Sequence, residues 1–397
     1  MISFDKFLDI VPRVEYFPEY ETKGEGKGIK LDGIKALAYE GAVYKGKQTK
    51  VFAHIGFPEN MERPVPAVVL VHGGGGHPED VWIKKWNQRG YAAIAMDTTG
   101  YFPTKAIPYL YEGFAEGLQR ELVHPFAEDG YVVGPDNSAM TDMDLEVQDQ
   151  WMYQAVAAII LAHNILRNDP KVDNRRIGIT GISWGGVLTS VAIGYDTRFS
   201  FAIPIYGSGY LSLGLSDLNN VFKVPKAERW HAESRFSEVK IPVMWLCWND
   251  DCCFSINSNS QSYLDTKDNN PNTCLSTLDQ MQHSHYHGYT PKESYWFADR
   301  ITSGNAVPKV NAAYTKMEVC YTCSEKIVAA RLFYIKEKMS YTQREKFGMV
   351  RSFMEQDWQI ADLDPIKTTA QLPADAIGKY MEFTLEDGVI LTTSYTE

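Results

Sequence analysis

The sequence predicts an α/β fold, a mostly parallel sheet flanked by helices, followed by a small C-terminal β-sandwich. Three observations predict it. The apolar run Val68–Val71 breaks into four glycines, Gly73 to Gly76. Helix-forming sequence follows, then a second β-prone run, Tyr91–Met96. Strand, glycine turn, helix and strand in that order make a βαβ unit. A further β-prone run, Arg176–Ile182, ends in Gly-x-Ser-x-Gly at Gly181–Gly185 and leads into another helix-forming stretch. From about Asn305 no long helical period occurs, and short β-like runs take over.

Residues 1–35 read as a leading arm, polar and rich in Gly and Lys at Lys23–Gly28. Ala36–Glu40 and Val51–Ile55 flank the polar turn Tyr44–Lys47 and predict a hairpin. The strand at 66–71 precedes the glycines. A helix is expected over Pro78–Arg89, and the next strand ends at Asp97. Residues 100–147 break the rhythm with aromatics, Pro, Gly and acids, and are expected to form a lid or pocket wall. A helix over Gln148–Arg167 places Ala155, Ile159, Ala162 and Leu166 on one face and ends at Asp169–Pro170. Beyond the Gly-x-Ser-x-Gly stretch come a strand at Phe201–Tyr206, an irregular insertion at 207–238 holding Trp230, and a strand at Ile241–Leu246. A histidine-rich loop, Met281–His287, leads into a helix ending near Ile301. Val328–Ile335, Gly378–Thr384 and Val389–Ser394 are the C-terminal strands. The resulting division is an arm at 1–35, a catalytic α/β domain at 36–304 and an accessory β-domain at 305–397.

Composition narrows the function. An apolar fraction of 44% allows a full core. A net charge of −11 with no basic run argues against nucleic acid and anionic membranes as partners. No apolar stretch approaches the ~18 residues of a membrane span. The start, Met1–Lys6, lacks the basic and apolar regions of a signal peptide, so a cytoplasmic location is expected. The six cysteines do not form a secreted-domain framework, and Cys320–Cys323 is a lone Cys-x-x-Cys without the second pair that zinc would want. The four glycines are not followed by Lys-Ser/Thr, nor do they make a dinucleotide fingerprint. No cofactor and no metal is expected.

The chemistry-bearing residues form an ordered set. A serine at a sharp strand-to-helix turn is exposed as a nucleophile, with Gly181 and Gly185 removing the Cβ atoms that would clash there. A serine hydroxyl near neutral pH needs a base, and the base needs a carboxylate to orient it. Ser183 comes first, Asp250–Asp251 follows a later strand, and His283, His285 and His287 lie further on. Asp251 is the preferred acid with Asp250 as alternative, and His283 is the preferred base with His285 second. An oxyanion hole needs backbone N–H groups converging on one point. The candidates are the N–H of Trp184 and one from Gly74 or Gly75. His72 is expected to brace the glycine loop by hydrogen bonds.

At these residues the chain resembles the α/β-hydrolase superfamily. It is most similar to the dienelactone-hydrolase-like and acetyl-xylan-esterase-like branch that carries His-Gly-Gly-Gly-Gly and Gly-Ile-Ser-Trp-Gly-Gly. The likeness covers about residues 36–303. Arg89–Asp97 and Ile177–Gly186 are its most specific parts, and Leu372–Ala376 fits the trailing β-domain of similar proteins. The resemblance implies Ser183 as nucleophile, Asp251 as acid and His283 as base in a carboxylic ester hydrolase. Acetyl groups on sugars are the implied substrates, so the partner is a small-molecule or carbohydrate ester. The sequence departs from the pattern in its doubled aspartate, Asn249–Phe254, and in its extra histidines. Two other readings are a peptidase of prolyl-oligopeptidase type, for which the 35-residue arm is too short to be a gating domain, and a non-catalytic carbohydrate-binding protein.

Overall fold

The computed structural model describes the chain except residues 1, 23–24, 27–28, 101, 112–113, 124–139, 216–217, 252, 347–348 and 355. The chain divides into two compact units, Met1–Ala202 and Ile203–Glu397.

In the first unit the strand order is Val14–Tyr16, Lys35–Tyr44, Lys47–Gly56, Ala92–Met96, Val65–Val71, Val172–Ile182. The first three strands run antiparallel, and the last three pair in parallel. The predicted hairpin is present and longer than expected. Its turn residues Lys45 and Gly46 have φ of 48° and 77°, the positive pair that matches strand twist in a two-residue hairpin. The arm contributes the edge strand Val14–Tyr16, which pairs with residues 37–39. Ala67–Val71 and Ala92–Met96 are buried throughout, which is why they read as continuous apolar runs. The helix Asp80–Gln88 starts two residues later than expected. The helix Trp151–Asn168 buries far more than one face, down to Gln154, His163 and Asn164. Residues 100–147 are not wholly irregular, since Phe102–Tyr111 and Phe114–Val123 pair as an antiparallel hairpin. The expected aromatic lid rests on side chains of 101–139, which lie outside the described residues, as do Lys23–Gly24 and Lys27–Gly28 of the arm.

The strand Phe201–Ile205 carries the chain into the second unit, where it pairs in parallel with Met244–Trp248, which pairs in parallel with Cys274–Leu278. The expected strand at 241–246 begins later because Pro242 supplies no N–H to a ladder. The insertion at 207–238 is a series of short helical turns. Past Gly304 come two antiparallel sheets. One has three strands, Val310–Tyr314, Glu318–Cys323 and Thr369–Gln371. The other has four, ordered Gln359–Leu363, Ile327–Ile335, Gly378–Leu385, Ile390–Thr392. Tyr321 of the first packs on Phe383 of the second, ring centroids 6.1 Å apart, as in a sandwich. A further hairpin joins Tyr341–Lys346 to Met349–Met354. These strands also seat on the preceding part of the unit. Ser276 Oγ donates to the Ile390 carbonyl, and the Thr277 N–H donates to Thr392 Oγ1.

Candidate active site

The serine turn in the first unit is strained in the way a nucleophile elbow requires. Ser183 has φ 59° and ψ −121°, between the strand Val172–Ile182 and the helix Trp184–Ala192. A non-glycine residue at positive φ costs of order 1–3 kcal/mol and persists only where its surroundings enforce it. Two glycines do so here. A Cβ on Gly181 would sit 2.1 Å from the Gly185 carbonyl oxygen, and one on Gly185 would sit 2.1 Å from that of Val71. Gly181 and Val71 are register partners on adjacent parallel strands. The elbow helix is thus pressed against the end of the strand that opens into the glycine loop.

In that loop Gly74 and Gly75 are exposed, Gly75 has φ 68°, and the Gly76 N–H closes a turn onto the Gly73 carbonyl. His72 braces it as expected. The Thr98 N–H donates to His72 Nε2 at 3.0 Å, so Nδ1 carries the proton and donates to the Gly73 carbonyl at 2.8 Å. His72 is 2% exposed, a buried strut. Trp184 is half-buried and stands edge-on to Trp151 at 5.4 Å, while the Trp151 indole donates to the Thr98 carbonyl.

The second unit brings Asp251 and His283 together. Asp251 is fully buried. Its Oδ1 accepts the Cys253 and Phe254 N–H groups at 2.7 and 2.9 Å, and its Oδ2 lies 2.8 Å from His283 Nδ1. A carboxylate only accepts, so Nδ1 is the donor and Nε2 is the basic nitrogen. The imidazole packs against two rings, Tyr206 at 4.8 Å and Phe254 at 5.8 Å, the latter nearly parallel. The Tyr206 hydroxyl donates to the Gln282 carbonyl at 2.8 Å. Burial, reinforced by the Asp251 charge, pushes its pKa far up and keeps it a donor.

The other sequence candidates separate. The Asp250 carboxylate accepts from the Trp358 indole at 2.9 Å. Ser284 caps the short helix His285–Tyr289, its Oγ accepting the His287 N–H and lying 2.8 Å from His287 Nδ1. His285 begins that helix. Trp230 is 1% exposed and belongs to the core. Cys320 and Cys323 lie three apart on one strand and point to opposite faces, so they do not converge on an ion. Cys252 lies outside the described residues. Among the described residues, Asp251, Cys253 and His283 alone group as potential metal ligands, their donor atoms within 4.8 Å. Sequence reasoning missed Tyr206 and Phe254. Tyr206 directly follows a sheet strand, where site residues are expected. Trp358 gave no signal, lying 108 residues from its partner.

A mostly parallel sheet with a serine elbow at a strand end defines the α/β-hydrolase class. Residues 25–233 match the family model for acetyl xylan esterase (AXE1), and the chain belongs to that family. It is accordingly a carboxylesterase-type hydrolase, a serine esterase of the α/β-hydrolase type. The matched segment holds Gly74, Gly75, Ser183 and Trp184 and ends before Asp251 and His283. No curated protein sequence matches the chain. Among solved structures it is similar to the acetyl xylan esterase from Paenibacillus sp. R4, at 16% identity and TM-score 0.50, covering 75% of this chain and 91% of that one. It is also similar to acetyl xylan esterase 1 from Thermoanaerobacterium sp. JW/SL YS485, at 15% identity and TM-score 0.47, covering 75% and 92%. A third is the Pyrococcus horikoshii acylaminoacyl peptidase, at 18% identity and TM-score 0.48. There 68% of this chain is covered, and it spans only 42% of that protein's length. Among the described residues no helix is long and apolar enough to cross a membrane.

Proposed function

We propose that the protein removes short acyl groups, acetyl first, from carbohydrate-type esters, with Ser183, His283 and Asp251 as the triad. Ser183 Oγ attacks the ester carbonyl while His283 Nε2 takes its proton. The Asp251 carboxylate holds Nδ1–H and stabilises the imidazolium. The N–H groups of Trp184 and of Gly74 or Gly75 receive the developing oxyanion. The imidazolium returns its proton to the departing alcohol. Water, activated by the same imidazole, then releases the acid from the acyl-enzyme. Residues 36–304 supply this chemistry, 1–35 are a leading arm and 305–397 an accessory β-domain. As compact units, however, 203–304 and 305–397 belong together.

The observation that carries the reading is the 2.8 Å bond from His283 to a carboxylate buried with two further donors on it. A fully buried carboxylate beside a half-buried imidazole is costly to build for packing alone, and it is what a serine base needs. The enforced conformation of Ser183 supports the same reading from the first unit. Membership of the acetyl xylan esterase family supports an acetylated sugar as substrate.

The test is Ser183→Ala, which removes only a hydroxyl. The expected result is a folded variant with below a few per cent of wild-type activity on nitrophenyl acetate and acetylated xylo-oligosaccharides. A fluorophosphonate should label the wild type alone. Retained turnover would remove Ser183 from the mechanism. Acyl length is tested in the same assay. A Trp184 pinned edge-on by Trp151 makes a rigid wall, and overpacking against such a wall costs about 1–3 kcal/mol. Burying an added methylene contributes only about 0.8 kcal/mol. kcat/KM should therefore fall from acetyl to butyryl to octanoyl esters of one alcohol, and a flat or rising series would indicate a general carboxylesterase.

A further inference from the structure

The loop that carries Asp251 is held by the C-terminal strands at three successive points. Asn249 Nδ2 reaches the Tyr380 hydroxyl at 3.3 Å. Asp250 Oδ1 accepts the Trp358 indole N–H at 2.9 Å. Ile256, where the next helix begins, is packed with Phe333, Ile335, Tyr380 and Tyr395, and Trp358 packs against the same cluster. Trp358 stands edge-on to Tyr380 at 5.3 Å and to Tyr395 at 6.1 Å. Its indole direction is therefore set by packing, independently of Asp250.

Two aspartates stand side by side in this loop. Their Cα atoms are necessarily ~3.8 Å apart, so both carboxylates belong to the same short stretch of loop that meets the imidazole. A second carboxylate at a His–Asp pair is harmful. It repels the charge already there and offers His283 a second, differently placed acceptor.

We propose that Trp358 decides which aspartate serves His283. Its indole N–H fixes the Asp250 carboxylate on the C-terminal strands, which leaves Asp251 alone as the acid. Trp358 is a positioning residue, and this gives the C-terminal β-region a part in the reaction. The inference rests on the triad reading above.

Trp358→Phe keeps a ring in the cluster and deletes only the donor. The expected result is a kcat on nitrophenyl acetate lower by about tenfold with KM within about twofold of wild type, since an acid that orients the base acts on the chemical step. Adding Asp250→Asn to Trp358→Phe should restore kcat to within about threefold of the Asp250→Asn single variant, a coupling that independent sites would not show. The low-field proton resonance of His283 Nδ1–H should weaken in Trp358→Phe and return in the double variant. Wild-type kcat in Trp358→Phe would overturn the inference. So would a loss that Asp250→Asn fails to repair, because Trp358 would then serve packing alone. If the Phe variant does not melt cooperatively, Trp358→Met, adaptable in shape, replaces it in the same comparison. Failure of the triad reading is seen separately, as a wild type that fluorophosphonate does not label.

Discussion

A carboxylate with no solvent is stable only when its lone pairs are filled, and Asp251 meets that condition with two backbone N–H groups and one imidazole. Asp251→Asn breaks it, because an amide presents N–H where His283 Nδ1 also carries a proton. One of the two must turn, and the imidazole is left in the wrong tautomer. kcat/KM for nitrophenyl acetate should fall by about 10⁴-fold, as triad carboxylate loss does elsewhere. Asp250→Asn should stay within about threefold, since an amide oxygen still accepts the Trp358 indole. The reverse ranking would assign the acid to Asp250. Chain order alone left this pair open, as it left His283 and His285 open. Consecutive residues in a loop share composition and spacing, and only their partners differ. The partner that separates Asp250 from Asp251 comes from a strand region more than a hundred residues away, and no local pattern encodes it.

At the scale of elements, legibility followed packing. The parallel strands Val65–Val71 and Ala92–Met96 were readable because burial on both faces demands apolar runs. The elbow was readable because its geometry tolerates only glycine at two positions. The helix Ile256–Thr266 was not. Its Ser and Asn residues favour turns, and the buried side chains of Asn259, Ser262 and Thr266 are satisfied here by carbonyls one turn back. Glu318–Cys323 did alternate, burying Val319 and Tyr321, but so short a run is not distinctive. The elbow makes its own prediction. In Gly185→Ala the new methyl meets the Val71 and His72 carbonyl oxygens at 2.1 and 2.6 Å, which are backbone and cannot swing aside. The helix Trp184–Ala192 must move off the strand, at a cost of about 1–3 kcal/mol or more. If Ser183 is the nucleophile proposed above, displacing it by about 1 Å can alone cost a hundredfold in rate. Thermal melting should show a lowered Tm together with esterase activity down at least that far. A variant with wild-type Tm and rate would mean that the elbow is looser than its contacts imply.

For the molecule as a whole, the boundary near residue 305 marks a change of texture within one compact unit. Residues 203–397 form one compact unit, and the C-terminal strands cover groups that the preceding segment cannot satisfy alone. The Thr277 N–H needs Thr392, Ser276 needs the Ile390 carbonyl, and Ser260 receives the Tyr395 N–H. Ile256 is buried in a cluster whose other buried members all lie beyond residue 332. Arg331 ties the sheet back through Asp279, at 3.6 Å, and grips the buried Glu382, whose pKa burial pushes up to about 7. Ending the chain at Gly304 would expose several such groups at once. Each large apolar side chain returned to water costs about 1.5–3 kcal/mol, and each buried backbone group left unpaired about 1–3 kcal/mol. A whole domain has only about 5–15 kcal/mol of stability. The shortened chain should therefore lose cooperative melting and ester hydrolysis together. A chain ending at Gly304 that melts cooperatively and hydrolyses nitrophenyl acetate at wild-type rate would show that 305–397 is a detachable accessory, and that Asp251 is held in place without Trp358 and Tyr380.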